Sequence, residues 1–322
     1  MASGGDFLLH NPKSSGIAEN RYMAISHYLK EIGRGKDGAR SLDRAQAADL
    51  FGQLLDGQVS ELELGAFCLA MRIKGETPEE MAGFLDATAL RTDKVPTQGR
   101  TAVVLPSYNG ARKLPVLTPL LALLLAREGL PVLVHGAATE SRRVSSAEVL
   151  ALLGVAADSS VQPLQAGQVR FVPTGLLCPG LQRLLEVRRV IGLRNSAHSL
   201  VKLMNPCDGD ALVAGSYTHP EYLLSMGKTF ELTGQRAMLL RGTEGEPVAD
   251  PRRLPQIDVF QQGQRRCVQE AQGGPLASLP ELPAIDAAST AAWISEVLAG
   301  RRAVPAPIAR QVEHVLQAVQ AS

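Results

Sequence analysis

The chain has 322 residues, of which 45% are hydrophobic and 20% are charged, and its formal net charge is +1. This length can form one large domain with a smaller one beside it, and the composition excludes a disordered or collagen-like chain. The near-neutral charge argues neither for nor against nucleic acid as a partner, so only the distribution of basic residues along the chain is informative.

The chain carries no sequence signal for a membrane or for secretion. Its longest apolar run, residues 114–126, contains two prolines and is too short to span a bilayer. Residues 1–20 lack the basic region and apolar stretch of a secretory signal. The four cysteines form no CxxC pair, which favours core positions or free thiols over bridges or zinc ligands. We therefore expect a cytoplasmic protein with no membrane partner.

The N-terminal part of the sequence is predicted to be helical. Residues 1–20 are aperiodic and should form a loose arm, whereas apolar residues recur at intervals of three and four across residues 21–98. Thr77 can cap a helix, Pro78 suits its first turn, and Glu80 completes a capping box. This pattern predicts a small helical domain at 21–98.

After a linker at residues 94–99 the pattern changes to alternating strands and helices. Such alternation predicts a mainly parallel central sheet flanked by helices, so residues 99–322 should form an α/β domain. Strands are predicted at 101–105, 131–135, 169–172 and within 231–241, and helices at 117–129, 146–153, 181–191, 287–299 and 308–319.

Three segments, residues 65–87, 133–154 and 187–206, occur in the order and spacing of one enzyme class. They resemble the nucleoside phosphoribosyltransferase class that includes anthranilate phosphoribosyltransferase. The resemblance covers roughly residues 20–260. It implies the fold of that class, with an α-helical N-terminal domain that helices from about 183–206 join.

The first departure from the enzymes lies in the loop that follows the first strand. The enzymes carry a Gly-Thr-Gly-Gly-Asp loop there, whose backbone N–H groups can surround pyrophosphate. The corresponding residues 106–113 read Pro-Ser-Tyr-Asn-Gly-Ala-Arg-Lys, with one glycine and two cations, Arg112 and Lys113. Tyr108 could anchor the loop or stack on a base. Candidate contacts in this loop are Ser107, Tyr108, Asn109, Arg112 and Lys113.

The second departure lies at the end of the second strand. His135 matches a histidine of the enzymes, but the following asparagine and arginine are replaced by Ala137 and Ala138. The phosphate-binding lysine of the enzymes falls on Arg143, which keeps the charge. His135 is either a further phosphate contact or a packed residue at the strand end.

The third departure removes the metal-binding carboxylates. The enzymes hold Mg²⁺ on pyrophosphate with an Asp-Glu pair, and the aligned residues here are Pro247 and Val248. The resemblance therefore implies no metal, no cofactor and no catalytic residue. Glu244 and Glu246 lie nearby, which leaves open an alternative: a phosphoribosyltransferase with an altered acceptor and a relocated magnesium site.

These replacements are similar to those of a side branch of the class, the YbiB-type proteins. That resemblance implies a homodimer paired through its N-terminal helices, which binds DNA, or RNA, without sequence preference. Each arginine could instead be an ion-paired surface residue, and a dimeric scaffold with an empty cleft is a third hypothesis. Basic residues expected to contact phosphate are Arg112, Lys113, Arg142, Arg143, Arg188, Arg189, Arg194, Lys202, Arg241, Arg252 and Arg253.

Overall fold

A computed structural model of the chain describes residues 24–35, 37–138, 140, 142–275 and 279–321. The arm predicted at residues 1–20 lies outside these ranges, so that prediction is not tested. The N-terminal part of the described chain is helical, as the sequence predicts. Its helices are α1 (Ser26–Ile32), α2 (Arg44–Leu55), α3 (Glu61–Lys74) and α4 (Pro78–Ala89).

Helix α4 begins at the predicted capping box. The Glu80 backbone N–H donates to the Thr77 hydroxyl, and the Thr77 backbone N–H donates to the Glu80 carboxylate. Glu80 is fully buried, and its carboxylate also accepts from the backbone N–H of Leu42 at 2.9 Å and pairs with the ammonium of Lys74 at 2.6 Å. The backbone N–H groups in the first turn of a helix have no partner within the helix, and a side-chain acceptor stabilises them. This capping box therefore determines where α4 begins. The prediction from Thr77, Pro78 and Glu80 is confirmed.

The second part of the chain is built on one sheet of seven strands. The strand order is β3-β2-β1-β4-β5-β6-β7, in which β1 to β5 are parallel and β6 and β7 are antiparallel to their neighbours. The predicted mainly parallel sheet is confirmed. The strands are β1 (Ala102–Ser107), β2 (Val132–Gly136), β3 (Val169–Pro173), β4 (Ala211–Tyr217), β5 (Ala237–Arg241), β6 (Ile257–Gln261) and β7 (Gln264–Gln269).

Helices cover both faces of this sheet and divide the apolar interior. Helices α5, α6, α11 and α12 share one buried cluster with the sheet, whereas α8, α9 and α10 share another with the N-terminal helices. The domain boundary placed near residue 98 stays a prediction. These helices are α5 (Thr118–Arg127), α6 (Ser146–Leu152), α7 (Thr174–Leu177), α8 (Pro179–Ile191), α9 (Ala197–Leu200), α10 (Pro220–Thr233), α11 (Ala287–Leu298) and α12 (Ala306–Gln320).

One predicted strand begins in the wrong place, and three strands were not predicted. Residues up to Thr233 belong to α10, which ends at Gly234 in the left-handed conformation, so β5 begins only at Ala237. Strand β4 was missed altogether. The β6–β7 hairpin was also missed; it turns through Gln262 and Gly263, which both have positive φ.

The carboxyl ends of the parallel strands form the edge at which a ligand is expected. The chain runs from β1 to β2 on one side, while β4 pairs with the other side of β1, so the strand order reverses there. Open α/β sheets bind ligands beside such a reversal. The loops after Ser107 and Arg241 meet at this edge. In the part of the chain that the structure describes, no helix is long and apolar enough to cross a membrane.

Candidate phosphate-binding site

The loop that follows β1 is held by the buried carboxylate of Glu246. Its Oε1 atom accepts hydrogen bonds from the backbone N–H groups of Asn109, at 2.7 Å, and Gly110, at 2.9 Å. Its Oε2 atom accepts from the hydroxyls of Ser107 and Thr118. Glu246 is only 2% exposed, so its charge is stabilised by these donors rather than by water.

A second carboxylate, that of Glu244, holds the other half of the same loop. Its Oε2 atom accepts from three successive backbone N–H groups, of Arg112, Lys113 and Leu114, at 2.7, 2.9 and 3.2 Å. Partial burial opposes ionisation, but the three hydrogen bonds outweigh it and lower the pKa of the Glu244 carboxyl below its ordinary value. Glu244 itself has φ 53°, so the turn accepts an uncommon backbone conformation at this residue.

The loop therefore keeps a row of converging backbone donors, but carboxylates of the same chain occupy them. A concave set of backbone N–H groups is suited to an anion, and phosphate is the usual one. Here Glu244 and Glu246 supply the anionic oxygens. A pyrophosphate group would have to displace two carboxylates to use these donors.

The residues at the aligned metal position do not suit Mg²⁺. Pro247 and Val248 are buried and offer no side-chain oxygen, whereas this ion requires oxygen ligands. Both carboxylates nearby, Glu244 and Glu246, are engaged with the loop. No group of three His, Cys, Asp or Glu side chains that could hold a metal occurs among the described residues.

Lys202 lies behind the loop rather than at its surface. Its ammonium is 2.9 Å from the carbonyl oxygen of Gly245, and the residue is only 9% exposed. Burial lowers the pKa of Lys202 to about 8, although the charge of Glu246 opposes the shift. The side chain still borders a cavity of about 470 Å³ that Arg194 also lines. Any contact between Lys202 and phosphate must come from within that cavity.

Tyr108 and His135 form a buried pair that anchors the loop to the sheet. The Tyr108 hydroxyl lies 2.7 Å from His135 Nδ1 and 2.8 Å from the hydroxyl of Thr174. Tyr108 is 6% exposed, so of its two hypothesised roles the structure shows the anchor and leaves no face for a base. Burial lowers the pKa of His135 to about 3, which keeps the ring neutral. His135 is thus the packed strand-end residue.

Three of the predicted arginines meet at one carboxylate. Glu140 contacts Arg188 at 2.9 Å, Arg143 at 3.1 Å and Arg194 at 3.2 Å. Burial opposes its ionisation, but the guanidinium groups lower the pKa of the Glu140 carboxyl below its ordinary value. We call these four residues the Glu140 cluster. One negative charge against three positive charges leaves the cluster with an excess of positive charge.

The other predicted cations are distributed along the same edge of the sheet. Arg252 pairs with Asp250 at 2.7 Å, and Arg253 donates to the carbonyl oxygen of Gly274 at 2.9 Å. Arg189 borders a separate cavity of about 410 Å³ beside Ser107. The predicted cations that are exposed to solvent and have no ion pair among the described residues are Arg112, Lys113, Arg142, Arg189 and Arg241.

Sequence reasoning noticed Glu244 and Glu246 but gave them another role, and it missed Glu140. The two glutamates follow a Gly-containing turn, which suggested relocated metal ligands. Their actual partners lie more than 100 residues earlier in the chain. Glu140 had no distinguishing signal, because a single acid between two loops is usually solvated.

Comparison with known proteins agrees with this architecture. The helical bundle domain of the glycosyl transferase family matches residues 26–90. The uncharacterized protein YbiB of Escherichia coli (strain K12) is 43% identical over 291 residues, which cover 88% of this chain and 90% of YbiB. Anthranilate phosphoribosyltransferase of Anaeromyxobacter dehalogenans (strain 2CP-C) is 28% identical over 288 residues, which cover 87% of this chain and 84% of the enzyme.

Two solved structures show the same fold. Anthranilate phosphoribosyltransferase (TrpD) from Thermus thermophilus has a TM-score of 0.68 at 23% identity and covers 88% of this chain and 85% of its own. Anthranilate phosphoribosyltransferase from Saccharomyces cerevisiae in complex with PRPP and Mg has a TM-score of 0.67 at 14% identity. The match covers 94% of this chain and 90% of the yeast enzyme. The predicted fold class is confirmed. The chain belongs to the same family as YbiB of Escherichia coli, on the fold of anthranilate phosphoribosyltransferase.

Proposed function

We propose that this protein is a non-catalytic member of its fold that binds the phosphate backbone of nucleic acid as a homodimer. The observation that carries this proposal is the occupied loop. Glu244 and Glu246 occupy the backbone donors that a pyrophosphate would need, while the side chains of Arg112 and Lys113 point to solvent. The loop therefore offers its exposed cationic side chains to a partner at the surface, and its backbone N–H groups are not available to a pyrophosphate bound within the loop.

The distribution of charge supports a polyanion as that partner. Five of the predicted cations are exposed, have no ion pair among the described residues and lie along the carboxyl edge of the sheet, and the Glu140 cluster adds an excess of positive charge. Lysine and arginine side chains that neutralise phosphates release counterions, which drives binding without reading sequence. Phosphate contact should dominate, because aromatic residues make up only 4% of the chain.

An apolar face on α3 supports the homodimer. Leu62, Leu69 and Ile73 lie on this helix and are 84%, 50% and 59% exposed. Leu69 and Ile73 are four residues apart and therefore neighbours on the helix surface. They border an apolar groove next to α1, of about 350 Å³. A second copy of the chain that packs here would remove these side chains from water.

Salt-dependent binding tests the nucleic-acid proposal. A fluorescent 20-base-pair duplex should bind at low salt, and the affinity should fall with a log–log slope of roughly −3 to −5, as four to six phosphate contacts require. Replacing Arg112, Arg142 and Arg189 together by glutamine should weaken binding to all sequences alike. Arg310→Gln, at an exposed position on α12, is the matched control. Absence of binding at low salt would contradict the proposal and favour a scaffold with an empty cleft.

The second candidate function is a phosphoribosyltransferase with an altered acceptor. The similarity to anthranilate phosphoribosyltransferases over most of the chain favours it. It would require phosphoribosyl pyrophosphate to displace Glu244 and Glu246 from the loop and to bring its metal without the aligned carboxylates. Calorimetry with phosphoribosyl pyrophosphate, with and without Mg²⁺, separates the two functions. Saturable heat that depends on Mg²⁺ would favour the enzyme.

A further inference from the structure

A large cavity at the carboxyl edge of the sheet extends from the end of the loop after β1, at Lys113, towards β4 and β5. It has a volume of about 860 Å³ and opens beside Tyr217 and Arg241, where β4 and β5 end. This volume falls within the roughly 300–1,000 Å³ typical of small-molecule sites. Tyr217 and Thr218 also border the cavity that Lys202 lines, so the two cavities adjoin.

Positive charge on this cavity is only partly neutralised within the protein. Arg252 is paired with Asp250, and the Glu244 carboxylate is bound by the loop amides. Lys113 and Arg241 have no ion pair among the described residues, and Arg253 has only a carbonyl partner. Three cations on one rim favour a ligand with one or more phosphates.

The wall between these cations is apolar. Tyr217, Leu223 and Leu254 line it together with Pro255. Tyr217 is only 7% exposed, so Leu223 and Leu254 offer the open apolar surface. An apolar wall beside a cationic rim suits a ligand that joins a flat ring to phosphate. A nucleotide has this combination.

We propose that this cavity receives one unpaired nucleotide of a single-stranded nucleic acid. The base packs against Leu223 and Leu254, and the flanking phosphates contact Lys113, Arg241 and Arg253. This proposal rests on the proposed nucleic-acid binding and adds a site for a base to it. A paired base could reach the cavity only by leaving its stack, which costs a few kcal/mol. Duplex binding therefore uses the outer cations alone.

The test compares short strands with and without a base. A thymidine–deoxyadenosine–thymidine trinucleotide should bind roughly tenfold to a hundredfold more tightly than the same sugar-phosphate chain with three abasic positions, the range expected for burying one base against apolar side chains. Leu254→Trp fills the cavity and should abolish this difference, while the Kd for a 20-base-pair duplex changes less than about twofold. Leu223→Trp fills it from α10 and should act alike.

A control variant and a competitor ligand distinguish a specific nucleotide site from other causes of altered binding. Leu224 lies next to Leu223 on α10, but it is 60% exposed and outside the cavity. The variant Leu224→Trp should therefore leave all affinities unchanged. Deoxyadenosine monophosphate as competitor tells whether a free nucleotide suffices. Equal binding of the trinucleotide and the abasic chain, with duplex binding intact, would overturn this inference and leave the proposed function standing. Absence of binding to any strand or duplex at low salt would overturn both.

Discussion

Glu140 is the residue whose removal should change binding most directly. Its carboxylate contacts three arginines, Arg143, Arg188 and Arg194, and therefore occupies the position that a phosphate oxygen would take. Glu140→Gln removes the negative charge while keeping the size of the side chain. We expect the affinity for a 20-base-pair duplex to rise about threefold to tenfold at low salt, and less at high salt.

Anisotropy titrations at two salt concentrations measure this effect. Glu313→Gln removes a charge of the same kind at a half-exposed position on α12 and serves as the control for net charge. An equal gain in both variants would mean that only net charge matters. An unchanged or lower affinity in Glu140→Gln would show that the three arginines do not contact the backbone.

Glu246 should matter for stability rather than for binding. It is buried, and it accepts hydrogen bonds from two backbone N–H groups and from hydroxyls of Ser107 and Thr118. Glu246→Ala leaves these donors and Lys202 without their anion, so we expect the free energy of unfolding to fall by about 3–5 kcal/mol. Urea denaturation measures the change, with Glu313→Ala as the exposed control. A loss below about 1 kcal/mol would contradict the assignment.

The same variant offers a second measurement that a merely structural role would not affect. Without the Glu246 carboxylate, the N–H groups of Asn109 and Gly110 become free to bind an added anion. Inorganic phosphate should therefore raise the melting temperature of Glu246→Ala more than that of the unchanged chain. Equal shifts in both proteins would mean that the loop collapses instead of keeping its donors in place.

At the scale of elements, the exposed face of α3 leads to a prediction about assembly. Ile73→Glu and Leu69→Glu place charges on a helix face that is already open to solvent in the single chain. Each variant should fold normally and shift the protein from dimer to monomer, because burying an unpaired carboxylate at an interface is unfavourable. Sedimentation measures the mass. Leu224→Glu on α10 is the control, and a dimer that persists in the α3 variants would place the interface elsewhere.

The elements that sequence could predict are those with a local signal. The capping box at Thr77 fixes the start of α4, and the apolar runs at 101–105 and 131–135 mark β1 and β2. Strand β7 has four exposed residues at its start, including Arg265 and Arg266, so its sequence resembles a loop. Only pairing with β6 makes it a strand. Local sequence does not reveal such pairing.

The candidate site also has features that the sequence predicts and features that it does not. The positions of the cations could be predicted, because charge is visible in the sequence and the resemblance placed the loops at one edge. The partners of these cations and of the backbone N–H groups could not be predicted. Glu244 lies about 130 residues from the amides it binds, and the contact between Glu140 and Arg194 spans 54 residues. Which carboxylate contacts which arginine or backbone N–H group depends on the packing of elements that are distant in sequence. These contacts are therefore seen only in the structure.

At the scale of the whole molecule, the neutral buried histidine makes stability depend on pH. Burial lowers the pKa of His135 to about 3, below its ordinary value of 6.5, so the unfolded chain binds more protons between these values. Stability is therefore lost as pH falls below about 6.5. His198, with a pKa lowered to about 4 by burial, acts in the same direction.

His135→Asn tests this dependence. Asparagine keeps a polar group near Tyr108 but does not titrate. The variant should be less stable at pH 7, and the difference from the unchanged chain should narrow by roughly 2–3 kcal/mol at pH 4.5. Urea denaturation at the two pH values measures both free energies. A difference that stays constant would mean that His135 is not the group responsible.

The two glutamates of the loop have an evolutionary consequence as well. A lineage that lost one of them would leave backbone donors unpaired and would be less stable before it gained any affinity for pyrophosphate. Metal ligands at Pro247 and Val248 would need further changes in a buried turn. The carboxylates that the chain supplies to its own loop therefore oppose any gradual gain of affinity for pyrophosphate at this loop.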